Sequence, residues 1–338
     1  MIIIDFAHLS FKSLFVALDK EAFSKNKVDF KKYKGMFIHL MFNYLKLVQT
    51  EFSKDYGNDI ILALEGSSSW RKEFYPKYKA NRVLNENIDW ENDVFPTIDE
   101  IVEIIKETLP YKVIKVKGAE GDDVVATLSE YSKEPVMVIS EDKDFIQLLR
   151  LPNVVLYKPI KKEFIQNVSE SEIKDKLRLH ILVGDRVDNI PSIMEETRFN
   201  PEFIKFCQDN NIYEDDVLKF KNLEISNTLI DLFMSKNKGK SIYKPARFGE
   251  KTAEKYLVNL KENLLNDKLA MNNYKRNMIL IDFEYIPKDI KESIIKEYEN
   301  CKLNSDLEKL LRFFLKYNCE KHSDDISAFR DRADDLPW

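Results

Sequence analysis

Five sets of carboxylates follow short apolar runs. Asp5 follows residues 2–4, and Glu65 follows residues 60–64. Glu120, Asp122 and Asp123 sit together in Gly118-Ala119-Glu120-Gly121-Asp122-Asp123. Asp142 and Asp144 come just after the apolar run 136–139, and Asp185 and Asp188 just after 181–184. Parallel strands bring their ends to one sheet edge, where open α/β sheets place their sites. So many carboxylates on one edge repel one another without a counter-charge. An all-oxygen donor set suits hard divalent cations such as Mg²⁺ or Mn²⁺. Two such ions roughly 3.5–4 Å apart are the usual machinery for cutting phosphodiesters.

Each carboxylate also has a plainer reading. Asp5 could cap a helix over residues 11–18. Asp123 suits the positive end of the helix it starts. Asp142 and Asp144 would share a face if extended, or they are turn residues. Asp188 either ligates through water or fixes the turn before Pro191. The four histidines are scattered and the three cysteines form no close pair, so a zinc site is not indicated. No serine, histidine and acid fall into a recognisable triad.

Two stretches could hold an anionic polymer. Between residues 71 and 82, Arg71, Lys72, Lys77, Lys79 and Arg82 face one acid, with Trp70, Phe74, Tyr75 and Tyr78 interleaved. Basic charge tracks phosphates and aromatic faces stack unpaired bases; a solvated surface helix is the alternative. The second stretch holds Lys236, Lys238, Lys240, Lys244, Arg247, Lys251 and Lys255 against Glu250 and Glu254. There a loop leads into a helix start, with Thr252 in its first turn, whose amides could bind a duplex phosphate. A flexible Lys-rich loop is the alternative.

The elements that would position these residues alternate. Residues 2–5, 60–64, 113–116, 136–139 and 154–157 read as short buried strands. Between them, residues 36–48 and 98–109 carry apolar positions at helical spacing, the second stopping near Pro110. This βαβ alternation predicts an α/β fold, a mostly parallel sheet flanked by helices. Beyond residue 169 strand signals fade, and 173–183, 201–208, 215–220, 227–234, 250–260 and 263–271 look helical. The expected division is an α/β core over 1–183, a helical DNA-binding subdomain over 184–317, and an acidic, mobile tail over 318–338. The tail is a solubilising end, or it docks a partner protein through its acids, Phe329, Leu336 and Trp338.

Composition narrows the class. The 338 residues are 44% hydrophobic, enough for a proper core. Net charge is -5, yet the carboxylate sets contribute much of it and bound cations would offset them. No stretch approaches the roughly 20 apolar residues of a membrane span. Residues 2–4 stop at Asp5 and read as a strand rather than a leader. An odd cysteine count suits a reducing cytoplasm. Only 8 glycines occur, with neither a GxGxxG nor a GKS/T phosphate loop.

Four runs, in order, resemble the 5′-nuclease (flap endonuclease) family and within it the phage ribonuclease H branch. They are Phe74 to Arg82 (family YKxNR), Glu120-Gly121-Asp122-Asp123 (EADD), Ser140 to Leu148 (SxDxDxxQL) and Gly184 to Pro191 (GDxxDNIP). The run Leu280 to Pro287 is similar to the C-terminal half of the phage enzymes. The resemblance implies that Asp5, Glu65, Glu120 and Asp122 hold a first ion, and that Asp142, Asp144 and Asp185 hold a second. It implies that Lys79 and Arg82 reach the scissile phosphate. An arch over about 70–96, ordered only by DNA, would then pass a single strand. Three departures stand out. Glu65 replaces the usual Asp, Gly121 replaces the usual Ala, and residues 193–248 separate the GDxxDNIP run from Gly249-Glu250-Lys251-Thr252.

The implied activity is a structure-specific two-metal 5′-nuclease, with ribonuclease H activity, acting in phage replication. Its substrates would be branched or nicked duplex DNA and RNA–DNA hybrid, and its ions Mg²⁺, with Mn²⁺ able to substitute. A monomer without membrane attachment is expected; a single-stranded-DNA-binding protein or a sliding clamp is the partner class the tail suits. The competing readings are a PIN-type ribonuclease and a DNA-binding accessory protein that has lost catalysis.

Overall fold

The computed structural model describes residues 1–23, 26–195, 200–209, 227–237, 242–243 and 248–329. They form two compact units. The first comprises Met1–Pro76, Arg82–Lys174 and Phe283–Trp338; the second comprises Lys77–Asn81 and Asp175–Asp282.

A six-stranded sheet organises the first unit, in the order β3-β2-β1-β4-β5-β6. The strands are β1 (Ile2–Asp5), β2 (Ile60–Ala63), β3 (Tyr111–Ile114), β4 (Val136–Ile139), β5 (Val154–Lys158) and β6 (Glu163–Ile165). The first five run parallel. Every residue of β1, β2 and β4 is buried. That is why these runs are apolar apart from Asp5 at the end of β1, as expected of strands covered on both faces. β6 is antiparallel to β5 and went unread. Its three residues are mostly exposed, and a run so short, with Phe164 and Ile165 side by side, shows no strand period.

Helices cover both faces. Ile2, Ile4, Ile60, Leu62, Met137 and Ile139 share one core with α1 (Phe6–Leu18), α2 (Lys34–Tyr56) and α4 (Phe95–Thr108). A short α3 (Trp70–Phe74) precedes α4. By the period of two, Ile3 and Ile61 face the opposite side. There α5 (Gly121–Tyr131) packs on β1 and β2.

The expected boundaries shift in three places. Of the residues assigned to a helical subdomain, Phe283 onward rejoins the first unit. Taking α6–α11 as the helices between Glu170 and Ile281, α12 is Lys288–Asn300 and α13 is Leu307–Lys316. α12 packs on α5 and β3, and Tyr298 donates to Asp59 at 2.6 Å. The tail expectation fails for 318–329. Cys319, His322 and Phe329 are buried, and Phe42 stacks edge-on with Phe314 at 4.9 Å and with Phe329 at 6.0 Å. The remainder, including Leu336 and Trp338, lies outside the described residues. Residues 70–96 do not form one arch either: Ile88, Trp90 and Val94 are buried in the sheet's core.

The second unit is helical. α6 (Glu170–Val183) enters it at Asp175; α7 (Pro201–Asp209), α8 (Asn227–Lys236), α9 (Glu250–Val258), α10 (Leu260–Asn266) and α11 (Lys268–Ile281) follow. Leu182, Ile193, Ala253, Leu264 and Ala270 form one small core. Phe203, Cys207, Phe233 and Ile242 form another. Helix 215–220 of the sequence reading lies outside the described residues. No helix among the described residues is long and apolar enough to cross a membrane.

Candidate active site

Chain direction reverses across the sheet between β1 and β4. From β1 the chain builds outward through β2 and β3, then returns to β4 and β5. Such a switch point leaves a crevice beyond the strand ends. Register aligns those ends, pairing Asp5 with Ala63, Ala63 with Ile114, and Ile4 with Ile139.

Asp5 and the 140s loop meet there. Asp5 Oδ2 accepts from Ser140 Oγ at 2.8 Å, and Ser140 Oγ accepts from the Asp142 amide at 3.0 Å. Asp5 Oδ1 accepts from the His8 amide at 3.0 Å, so Asp5 does cap a helix, one that starts at Phe6 rather than residue 11. The two readings of Asp5 therefore coexist: the cap and the serine hold the carboxylate still, and each oxygen keeps a lone pair. Asp142 is exposed, and its Oδ1 accepts from the Asp144 amide at 2.8 Å. Ser140 was not singled out on its own; its signal was its place ahead of Asp142 and Asp144.

Glu65 and Asp122 border the start of α5. A Cβ placed on Gly121 would lie 3.9 Å from Glu65 Oε1, so the longer side chain reaches this helix start. The helix dipole favours carboxylates here. Glu120 is buried, as its N-cap. Asp123 is wholly structural. Its Oδ2 accepts from the Glu120 amide at 2.8 Å and from Trp70 Nε1 at 3.0 Å.

Arg71 corrects the sequence reading. Expected on the DNA face, it is buried between acids, with Nη1 donating to Asp123 Oδ1 at 2.8 Å and to Glu120 Oε2 at 3.1 Å. Its guanidinium lies 4.5 Å from the Trp70 ring. One cation thus offsets two buried carboxylates and holds Glu120 at the base of the cluster.

His8 and Lys12 were also unread. Burial pushes the His8 imidazole down, against the upward pull of Asp5, and it pushes Lys12 down too. Among the described residues His8 Nε2 has no hydrogen-bond partner. Both residues line a cavity of about 560 Å³ with Phe11, Phe15, Val16 and Ile160.

The second unit carries the remaining acids on a tight turn. Asp185 and Ile190 exchange backbone hydrogen bonds at 2.9 and 2.7 Å. Gly184 has φ of +74°, and a Cβ on it would meet the Ile190 carbonyl at 2.3 Å, so only glycine fits. Asp185 Oδ1 accepts from the amides of Val187 and Asp188 at 2.8 and 3.3 Å.

Lys77–Asn81 docks on this turn. Lys79 donates its amide to the Asp188 carbonyl at 2.8 Å, and Asn81 Nδ2 donates to the Arg186 carbonyl at 2.8 Å. Asn189 Nδ2 donates to the Lys77 carbonyl at 2.7 Å. Tyr78 is buried and donates to Asp188 Oδ2 at 3.1 Å. Asp188 therefore holds this docked segment. Lys79 has φ of +54°, uncommon for a non-glycine, and its Nζ sits over the Tyr78 ring at 5.0 Å.

Lys72, Lys77 and Arg82 are exposed, as are Lys251 and Thr252 in the first turn of α9. The Thr252 amide bonds the Gly249 carbonyl at 2.9 Å. Lys240, Lys244 and Arg247 lie outside the described residues.

Residues 1–178 of the 338 match the family model described as 5′-3′ exonuclease, N-terminal resolvase-like domain. The chain belongs to this family. Residues 224–329 match a second model, T4 RNase H, C terminal. The Ribonuclease H of Enterobacteria phage T4 is 28% identical over 336 residues, covering 97% of this chain and 95% of that protein. The 5′-3′ exonuclease of Buchnera aphidicola subsp. Schizaphis graminum is 26% identical over 242 residues, covering 68% of this chain and 80% of that protein. Among solved structures, the T5 D15 protein co-crystallized with metal ions aligns with a TM-score of 0.50 at 17% identity. The alignment covers 89% of this chain and 98% of that one. That likeness is one of fold. The family makes this chain a nuclease of the 5′ type, and the oxygen-only donors at the sheet edge fit hard divalent cations.

Proposed function

We propose that the chain is a two-metal, structure-specific nuclease. It hydrolyses phosphodiesters at the 5′ ends of RNA primers and adjacent DNA, or at 5′ flaps, on duplex DNA. The observation that carries this reading is the Asp5–Ser140–Asp142 chain at the switch point, beside the carboxylates at the start of α5. Asp5, Glu65, Glu120 and Asp122 would hold one Mg²⁺; Asp142, Asp144 and Asp185 would hold the other. When bound, such ions activate the attacking water and offset charge on the leaving 3′-oxygen. The chain's own part is to orient the carboxylates through Ser140, the α1 cap and Arg71. Lys79 and Arg82 add positive charge where the phosphate's charge develops. Lys251, Thr252 and backbone amides at the α9 start would bind a duplex phosphate without reading bases.

The test is product mapping on a 5′-labelled branched duplex, with RNA-ended and DNA-ended versions, in Mg²⁺ and in EDTA. Mg²⁺-dependent release of short 5′ products near the junction is expected. Asp142→Asn should slow cleavage by at least about 10²-fold while duplex binding in Ca²⁺ is unchanged. Full activity in that variant would sink the metal assignment. Binding without cleavage in the unsubstituted chain would favour the accessory-protein reading.

A further inference from the structure

We propose that His180 is a positioning residue that aims Asp185 as a metal ligand. The proposal rests on the reading of Asp185 as a ligand of the second ion.

His180 lies in the last turn of α6, and its Nε2 is 3.1 Å from Asp185 Oδ2. An ionised carboxylate only accepts, so this contact requires the hydrogen on Nε2. The other carboxylate oxygen is already engaged by the amides of Val187 and Asp188. Asp185 is thereby held from two sides, by the turn at Oδ1 and by the imidazole at Oδ2.

The backbone reinforces this. The Gly184 amide donates to the His180 carbonyl at 2.8 Å. Asn277, fully buried, ties the helix to the turn by donating to the carbonyls of Ile181 and Pro191 at 2.9 and 2.8 Å. The same helix end therefore sets both the path of the turn and the plane of its carboxylate. Groups that hydrogen-bond a ligating carboxylate govern metal affinity strongly, and their loss typically costs about 10- to 100-fold.

The experiment is a Mn²⁺ titration without nucleic acid, followed by calorimetry and by EPR. It compares the unsubstituted chain with Asp185→Asn, His180→Ala and His180→Gln. Asp185→Asn should abolish one class of binding. His180→Ala should weaken that same class about 10- to 100-fold and leave the other class alone. His180→Gln, whose amide can donate from a similar reach, should recover most of the loss. Pulsed EPR should show no directly bound nitrogen. If Asp185→Asn binds Mn²⁺ like the unsubstituted chain, the ligand reading fails and the proposal falls with it. If Asp185→Asn loses the ion but His180→Ala does not, the ligand stands and the positioning role is overturned. A nitrogen coupling removed by His180→Ala would make His180 a ligand itself and also overturn it. Should His180→Ala fail to fold, His180→Asn replaces it. Its amide is too short to reach Asp185, so weakening supports the proposal and unchanged binding overturns it.

Discussion

Arg71 and Lys79 stand in the same basic, aromatic-rich run, yet they belong to different units. Arg71 is buried, and its guanidinium is shared by Glu120 and Asp123. Lys79 is anchored through its backbone to Asp188, while its half-buried side chain extends over the Tyr78 ring. The first cation is part of what keeps a carboxylate cluster folded. The second is a charge presented from a docked segment. The difference lies in long-range neighbours: two acids lie against Arg71, whereas hydrogen bonds to a turn carry the backbone around Lys79.

The largest effect should therefore be on stability. Arg71→Ala leaves two buried carboxylates without their cation. Breaking such a pair costs about 3–5 kcal/mol, which lowers the melting temperature on the order of 10 °C. Arg71→Lys keeps the charge but loses the planar fork, and should fall between. A normal melt combined with weaker DNA binding would return Arg71 to the DNA face and break the comparison.

Lys79→Ala should do the reverse. Its melt should stay near that of the unsubstituted chain, while the single-turnover cleavage rate falls about 10²- to 10³-fold. Equal losses in rate and in duplex affinity would instead make Lys79 a binding residue.

A half-exposed ion-pair network offers a graded case between these two. Burial works to raise the Glu100 carboxyl, but hydrogen bonds from Lys316, Tyr317 and Lys34 outweigh it and hold it down at about 2. Tyr317 Oη lies 2.6 Å from both Glu100 oxygens. A carboxyl held down in the folded state binds its proton more readily when unfolded. Its contribution is complete above pH about 4.5 and is lost as pH falls toward about 2. Solvent screening limits it to the order of 1 kcal/mol. Urea melts at pH 5 and pH 3 should show this loss, and Glu100→Gln should remove that part of the pH dependence. An unchanged profile in Glu100→Gln would mean the pairs add nothing measurable.

Three carboxylates of the sheet edge were legible because each lies at or just past the end of a short apolar strand, and parallel strands share an edge. Asp5, Glu65 and Asp142 needed only that rule. Arg71 was misread because its partners, Glu120 and Asp123, lie about fifty residues on and no local pattern links them. The same reason hid Ser140, whose partner Asp5 is at the far end of the sequence distance. Residues 318–329 looked mobile because their apolar residues are sparse. Yet Cys319, His322 and Phe329 all settle into one aromatic cluster with Phe42 and Phe314.

The smallest expected effect concerns Lys72, directly beside Arg71, and Lys251 on α9. Both are exposed, so their removal leaves no buried group unpaired and should not move the melt. If each contacts one phosphate, Lys72→Ala and Lys251→Ala should weaken duplex binding uniformly across sequences. Each should also reduce the slope of log affinity against log salt by about 0.9 for a duplex contact. The slope, rather than the affinity at one salt concentration, is decisive, because a lost packing contact weakens binding without releasing fewer counterions. A reduced slope for Lys72→Ala beside an unfolding Arg71→Ala would place a structural and a binding cation on adjacent residues. An unchanged slope for Lys72→Ala would confine the DNA role of the run to residues 77–82.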